Sequence, residues 1–335
     1  MILTLDEKKI RKGKPIGLPY QGSKKKISKK IVEIIEQNFG TDTPVYDVFG
    51  GGGAITAECI LNGLEVHYND LDKTITDMFQ RVINQDSEWI KTLIVSREDF
   101  YTIKEKQEKS VDDELKLLVN SFGNNGKGYL YSSEWSDMKY NLAIEIISKH
   151  DVFSGYKQTD IYRKTRTVNG DQLQQLQRLQ QLQQLEPTNL SYESFSNIEG
   201  AIFYLDPPYE GTKGYNDDKA RIKRADSEEY NNIRSFLLSK EKGYKHIENG
   251  ACYTLGTSKN NKNRMYVKDL LCKNSFDSQN FYDWAFEMSK KNTVLISSYE
   301  ISDERFEEVY SFDKARSTLQ GGYSNSKCEK LFMVK

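Results

Sequence analysis

The stretch Ala201-Ile202-Phe203-Tyr204-Leu205-Asp206-Pro207-Pro208-Tyr209 decides the fold. Its unbroken apolar run reads as a strand buried on both faces, as in a parallel sheet. Two prolines must end that strand, because neither can donate to a ladder. The strand therefore delivers a carboxylate, two rigidly placed carbonyls and an aromatic ring onto one loop. Such a loop is either a stiff strand-closing turn or a site that holds a charge ready. The stretch alone leaves both readings open.

The surrounding chain bounds the choice. A length of 335 residues, 37% apolar and 29% charged, is enough to bury a core as one large domain or two. No apolar run is long enough to span a bilayer, and Met1-Ile2-Leu3-Thr4-Leu5-Asp6-Glu7 lacks a signal-peptide pattern. The expected location is intracellular, in the cytoplasm. Cys59, Cys252, Cys272 and Cys328 have no paired spacing, which points to reduced thiols rather than a disulfide frame or a zinc site. His67, His150 and His246 are isolated, so no metal site is expected. A net charge of −1 excludes a uniformly basic polyanion binder. Local clusters remain near the N-terminus, at Arg163, Lys164 and Arg166, and at Lys219, Arg221, Lys223 and Arg224. Each is either a phosphate-contacting patch or a solvated surface.

Upstream of the deciding strand, residues 1–19 are highly charged and read as an arm. Ile27, Ile31, Ile34 and Ile35 then fall on one face of a helix, with Ser23 as its expected N-cap. Pro44 to Phe49 reads as a first strand feeding Gly50-Gly51-Gly52-Gly53, and residues 55–61 as a helix. Glycines at a strand-to-helix turn allow close approach to the backbone at the positive helix end. The G-x-G-x-x-G fingerprint is broken, since Ile55 or Thr56 stands where its third glycine would be. A second strand, Leu64 to Tyr68, ends at Asn69-Asp70. Asp70 either receives a ribose diol or caps a helix over 72–84. Strand, glycine loop, helix, strand and acid together favour a nucleoside-containing cofactor.

Between residues 85 and 188 the alternation of strands and helices disappears. Ser121 to Tyr131 interleaves Asn124, Asn125, Lys127, Tyr129 and Tyr131, residue types that pair with base edges, phosphates and unstacked bases. A glycine- and asparagine-rich loop beside a packed aromatic pair is the alternative. Leucines at 173, 176, 179, 182 and 185 mark a Gln/Leu tract over 172–185. A spacing of three drifts by about 60° per step on an α-helix, giving a spiral rather than a face. It is either a helix lying across a surface or a repeat expansion, and no chemistry is assigned to it. Residues 216–275 are charged, lack clear strand alternation and read as an insertion. Helical periodicity returns at Phe281 to Lys290, Asn292 to Ser298 is another buried strand, and Phe306–Phe312 with Lys330–Val334 form a closing antiparallel pair.

In this order, Tyr20-Gln21-Gly22-Ser23-Lys24, Asp47-Val48-Phe49-Gly50-Gly51-Gly52-Gly53, Asn69-Asp70, Asp206-Pro207-Pro208-Tyr209 and Asn292 to Tyr299 make the chain resemble the Dam-like DNA adenine N6-methyltransferases. The Ser121 to Tyr131 block is similar to a segment of phage-type members. The resemblance implies an α/β Rossmann-like methyltransferase fold, a mostly parallel seven-stranded sheet with an antiparallel last strand, and a smaller target-recognition region. Residues 20–84 and 189–335 would form the catalytic domain and 85–188 the recognition region. The implied cofactor is S-adenosylmethionine, held by Tyr20, Gly22, Lys24, Asp47, Phe49, Gly50, Gly51, Gly52, Asp70 and Asp206, with Glu193 or a neighbour near its adenine. The implied partner is double-stranded DNA, touched by Asn124, Asn125, Lys127, Tyr129 and Tyr131. A cognate restriction endonuclease is a candidate second partner.

The implied catalytic set is Asp206, Pro207, Pro208 and Tyr209. The N6 of adenine is a poor nucleophile because its lone pair is delocalised into the ring. The Asp206 carboxylate and the Pro207 carbonyl can accept its hydrogens, and fixed prolines preorganise those acceptors. Tyr209 can stack on a base flipped out of the duplex. The same motifs would serve an RNA base or a protein amide nitrogen. A nucleotide-binding oxidoreductase or a non-catalytic DNA-binding relative are the more distant alternatives.

Overall fold

A computed structural model of the chain describes every residue except 1, 20–21, 152, 154–156, 158–159, 166–168, 183–184, 210–227, 241–243, 249–250, 256–264, 270–275 and 313–327. Two compact units emerge, one of residues 1–207 and 282–335, the other of residues 208–281.

The first unit is built on a six-stranded sheet among the described residues. Its strands are β1 (Val45–Asp47), β2 (Val66–Tyr68), β3 (Ile202–Leu205), β7 (Thr293–Ser298), β8 (Phe306–Ser311) and β9 (Lys330–Val334), in the order β2-β1-β3-β7-β9-β8. The first four run parallel, and β9 lies antiparallel between β7 and β8. The expected seven strands are thus six here, with the last strand antiparallel as expected. β3 is buried at every position, which is why its sequence shows no alternation.

Helices of this unit are α1 (Ser28–Phe39), α2 (Ala54–Leu61), α3 (Lys73–Ile83), α4 (Ser87–Lys91), α5 (Arg97–Glu105), α6 (Val111–Val119), α7 (Ser136–Lys149), α8 (Asp160–Thr165) and α9 (Asn169–Leu179). α11 (Ser278–Ser289) begins in the second unit and ends in the first. Val45, Ile202, Tyr204 and Leu295 point to one sheet face and pack with Ile31, Ile34 and Ile35 of α1 and Ile55 and Cys59 of α2. Each such aliphatic side chain, fully buried, contributes about 1.5–3 kcal/mol. Tyr46 and Phe203 project to the opposite face, where their rings stack at 5.1 Å. Ser23 does not cap α1. Its hydroxyl accepts from the Lys25 amide and caps a 3-10 turn, Lys24–Lys26, so that α1 starts one turn later.

Residues 2–19 are no free arm. The Leu3 amide donates to the Val309 carbonyl, Leu18 is fully buried, and the Arg11 guanidinium grips both oxygens of buried Glu58 at 2.7 and 2.9 Å. The Gln/Leu tract is also core. Leu173, Leu176 and Leu179 are fully buried because α9 is packed on several sides, by α3, α4, α6 and α7, which accommodates a spiral of leucines. At Gln180–Leu182 the helix tightens to 3-10, whose period of three suits the leucine spacing, and Leu182 stays inside.

The second unit contains α10 (Glu228–Leu238) and an antiparallel sheet, β4 (Lys245–Glu248), β5 (Ala251–Leu255) and β6 (Met265–Asp269), paired in chain order. Ile233 and Leu237 of α10 pack on Tyr253 and Leu255. The segment read as an insertion without strand alternation therefore carries three strands.

Candidate active site

The C-terminal ends of β1, β2 and β3 meet in the first unit, where open α/β sheets place their ligands. Asp206 follows β3 directly. Its Oδ2 lies 2.9 Å from the Lys24 ammonium, and only 17% of the Asp206 side chain is exposed. Lys24 also lies 3.5 Å from Oε1 of Glu329, to which the Ser297 hydroxyl donates at 2.7 Å. One lysine thus bridges two carboxylates that arrive from β3 and from the approach to β9. The Tyr299 phenol is pushed up by burial and by the charges of Glu329 and Asp206, against Lys24. Pro207 is buried and closes the first unit, while Pro208 and Tyr209 belong to the second.

The glycine loop is shaped by its neighbours. A Cβ on Gly50 would stand 2.4 Å from the Tyr68 ring, and one on Gly53 would stand 2.3 Å from Phe79. Gly51 and Gly53 adopt φ of 48° and 69°, the left-handed region that favours glycine. The Tyr68 hydroxyl donates to the Gly51 carbonyl at 2.7 Å. The Leu18 amide donates to the Gly52 carbonyl at 2.8 Å.

Asp70 is tied into the same loop. Its Oδ2 accepts from the Gly51 amide and its Oδ1 from the Asp72 amide, each at 2.8 Å. Burial pushes the Asp70 carboxyl up, and these two hydrogen bonds oppose the shift. Asp72, not Asp70, caps α3, accepting from the Thr74 amide. Asp47 takes a different place from a surface ligand. It is fully buried, and its Oδ2 accepts from the Thr56 amide at 3.1 Å and the Thr56 hydroxyl at 2.6 Å. Its Oδ1 is buried without a hydrogen bond, and burial pushes its carboxyl up to about 7. Asp47 anchors the first turn of α2 from beneath the loop.

Phe49 is half-buried with the Tyr192 ring 6.1 Å away, and Tyr192 meets Trp284 at 5.0 Å. Glu193 is exposed on the 3-10 turn that carries Tyr192. Gly22 is exposed with φ of 85°, and Tyr20 lies outside the described residues. Lys219, Arg221, Lys223, Arg224 and Arg166 lie outside them too. Next to Lys24, the Lys25 ammonium donates to Gln175 and is pushed down to about 8 by burial and by Arg178.

The Ser121–Tyr131 block is a short hairpin in which Ser121 bridges Tyr129. Tyr129 is 6% exposed and donates to the Val95 carbonyl at 2.9 Å, so the fold consumes both its ring and its hydroxyl. Asn124 sits at φ of 52° and donates to the Leu118 carbonyl, and Asn125 accepts from the Lys127 amide. Lys127 is exposed, Tyr131 stacks edge-on against Tyr129, and Phe122 at the hairpin is 65% exposed.

Three residues with a place in this site were missed from sequence. Glu329 and Trp284 lie far along the chain from the motifs they join, with no local pattern to mark them. Asn69 stands beside Asp70 in the sequence with nothing local to mark its own role. It is buried and donates to the carbonyls of Val48 and Leu190, and its Oδ1 accepts from Thr188 and Leu190. That sewing returns the chain from its helical excursion to the sheet edge. Among the described residues, no cluster of three or more His, Cys, Asp or Glu could hold a metal ion, and no helix is long and apolar enough to cross a membrane.

A mostly parallel sheet with an antiparallel last strand, a glycine loop after β1 and an acid after β3 define a Rossmann-like methyltransferase fold. The sequence model of the D12 class N6 adenine-specific DNA methyltransferases matches residues 20–253, and the chain belongs to that family. A comparison with curated proteins finds no match. Methyltransferases of this kind use S-adenosylmethionine and act on DNA.

Proposed function

We propose that this chain transfers a methyl group from S-adenosylmethionine to the N6 of an adenine flipped out of duplex DNA, at a defined sequence. The observation that carries the reading is the carboxylate of Asp206, set at the end of β3 and clamped 2.9 Å from Lys24, in a chain of this family. The residues around it fit the cofactor by their chemistry. Asp206 and Glu329 leave a net negative charge around Lys24 that suits a sulfonium cation. Asp70 presents a carboxylate at the end of β2 suited to a ribose diol, and Phe49 and Tyr192 offer aromatic faces for an adenine.

When bound, S-adenosylmethionine supplies an electrophilic methyl group. Asp206 accepts a hydrogen bond from an N6 hydrogen, as does the Pro207 carbonyl. Both acceptors concentrate electron density on nitrogen and stabilise the positive charge it gains as its bond to carbon forms. The bound cofactor would supply the methyl group and keep the electron pair of the broken carbon–sulfur bond, and one N6 proton would leave to water. Proline preorganisation means that the acceptors need not reorient during the reaction. Tyr209 stacks on the extruded base. Lys127 and exposed Phe122 of the hairpin meet the duplex, while Tyr129 and Asn124 hold the hairpin's shape. A DNA substrate places the enzyme inside the cell.

Incubation with unmethylated duplex DNA and labelled methyl donor should yield N6-methyladenine. Asp206→Ala should lower the single-turnover rate at least 10²–10³-fold, roughly the cost of removing one preorganised charge-stabilising group. Methylation confined to cytosine N4, or full activity in the Asp206→Ala protein, would refute the proposal.

A further inference from the structure

The bridge from Asp206 through Lys24 to Glu329 points to a role for the last of these, resting on the reading of Asp206 given above. We propose that Glu329 is a positioning residue for methyl transfer, holding the Lys24 ammonium beside Asp206 while offsetting its charge. Three contacts carry this. Lys24 lies 2.9 Å from Asp206 and 3.5 Å from Glu329, and all three side chains are 17% exposed or less. Ser297, fully buried on β7, donates to Glu329 and fixes the carboxylate at the strand end. The Glu329 carbonyl accepts from the Phe312 amide, pinning the backbone on its other side.

The electrostatic need is specific. Without Glu329, the site would set a lone lysine against the acceptor oxygen of Asp206. That lysine would draw on the electrons Asp206 offers to N6 and would repel both the incoming sulfonium and the charge developing on nitrogen. With Glu329 present, two carboxylates share one ammonium, and the cluster keeps a net negative charge. Among the described residues, Tyr204 on β3, Tyr299 beyond β7 and Asp47 at the end of β1 also feel the charge of Asp206. Of these only Asp47 carries a negative charge at neutral pH, and burial makes that charge partial, with its carboxyl pushed up to about 7.

Glu329→Gln tests the role while preserving shape, since the glutamine oxygen can still accept from Ser297. Single-turnover methylation of unmethylated plasmid DNA at saturating S-adenosylmethionine should slow about tenfold, with the KM for DNA unchanged. The acid limb of its pH–rate profile should move about one unit to lower pH, because losing a nearby negative charge favours ionised Asp206. Glu329→Asp should restore part of both. NMR titration of Lys24 in the free protein supplies a readout without turnover. Glu329→Gln should lower the pH at which that amine deprotonates, because an opposite charge has gone. A wild-type rate and acid limb in Glu329→Gln, or a loss that follows the folded fraction alone, would overturn the proposal, as would an unmoved Lys24 titration. An inactive wild-type protein would instead refute the methyltransferase reading and leave the Lys24 titration to decide the role of Glu329.

Discussion

Replacing Leu176 by alanine separates two accounts of the Gln/Leu tract. In the structure Leu176 is fully buried on α9, inside the cluster that includes Phe79, Leu118, Ala143 and Ile146. Truncation removes most of a side chain from close-packed surroundings drawn from several helices, which cannot all collapse into the space. The expected loss of stability is about 2–5 kcal/mol, the transfer term plus a cavity term. If the tract were a solvated repeat expansion, the same change would be neutral or slightly stabilising, because alanine is the better helix former by a few tenths of a kcal/mol. The two accounts therefore differ in sign as well as in size. Urea unfolding followed by far-UV circular dichroism and tryptophan fluorescence would measure the change, with Trp89 packed against the same cluster. Gln181, exposed on the same turn as buried Leu182, is the internal control, and its alanine variant should stay within about 0.5 kcal/mol of wild type. A Leu176→Ala protein within that same margin would refute the packing described here.

Two further outcomes follow from the loop and its support. Gly53→Ala should destabilise the protein by about 2–5 kcal/mol, combining a left-handed backbone penalty with a Cβ placed 2.3 Å from Phe79; thermal unfolding checks this, and an unchanged midpoint would contradict it. Asp47 has a folded carboxyl pushed up to about 7, from an unfolded value near 3.8, so the native state binds its proton more tightly. The stability this proton brings is complete below about pH 4 and lost as pH rises toward 7, and Asp47→Asn should flatten that slope in pH-dependent denaturation.

What the sequence revealed was whatever is encoded in consecutive residues. β3 announced itself because a strand buried on both faces needs an unbroken apolar run, and Pro207 and Pro208 then fixed its end. β8 and β9 were legible as short apolar-containing segments, Phe306–Ser311 and Lys330–Val334, close enough along the chain to pair. The glycine loop was recognised, but its cause was not. Gly50 and Gly53 make room for Tyr68 and Phe79, side chains that approach only after β2 has paired with β1 and α3 has docked.

The leucine tract shows the same limit from another side. A spacing of three looked wrong for a helix face because one face was assumed, whereas α9 is enclosed on several sides and ends in a 3-10 turn. Glu329 is the extreme case. Nothing in Cys328-Glu329-Lys330 marks it, because its role arises only when β9 inserts between β7 and β8 and carries the carboxylate to Ser297 and Lys24. An antiparallel strand placed late into a parallel sheet brings a remote residue to the ends of the earliest strands. Charge balance at Asp206 is therefore set by topology rather than by motif, and a reading confined to the motif would have left Lys24 as a cofactor contact alone.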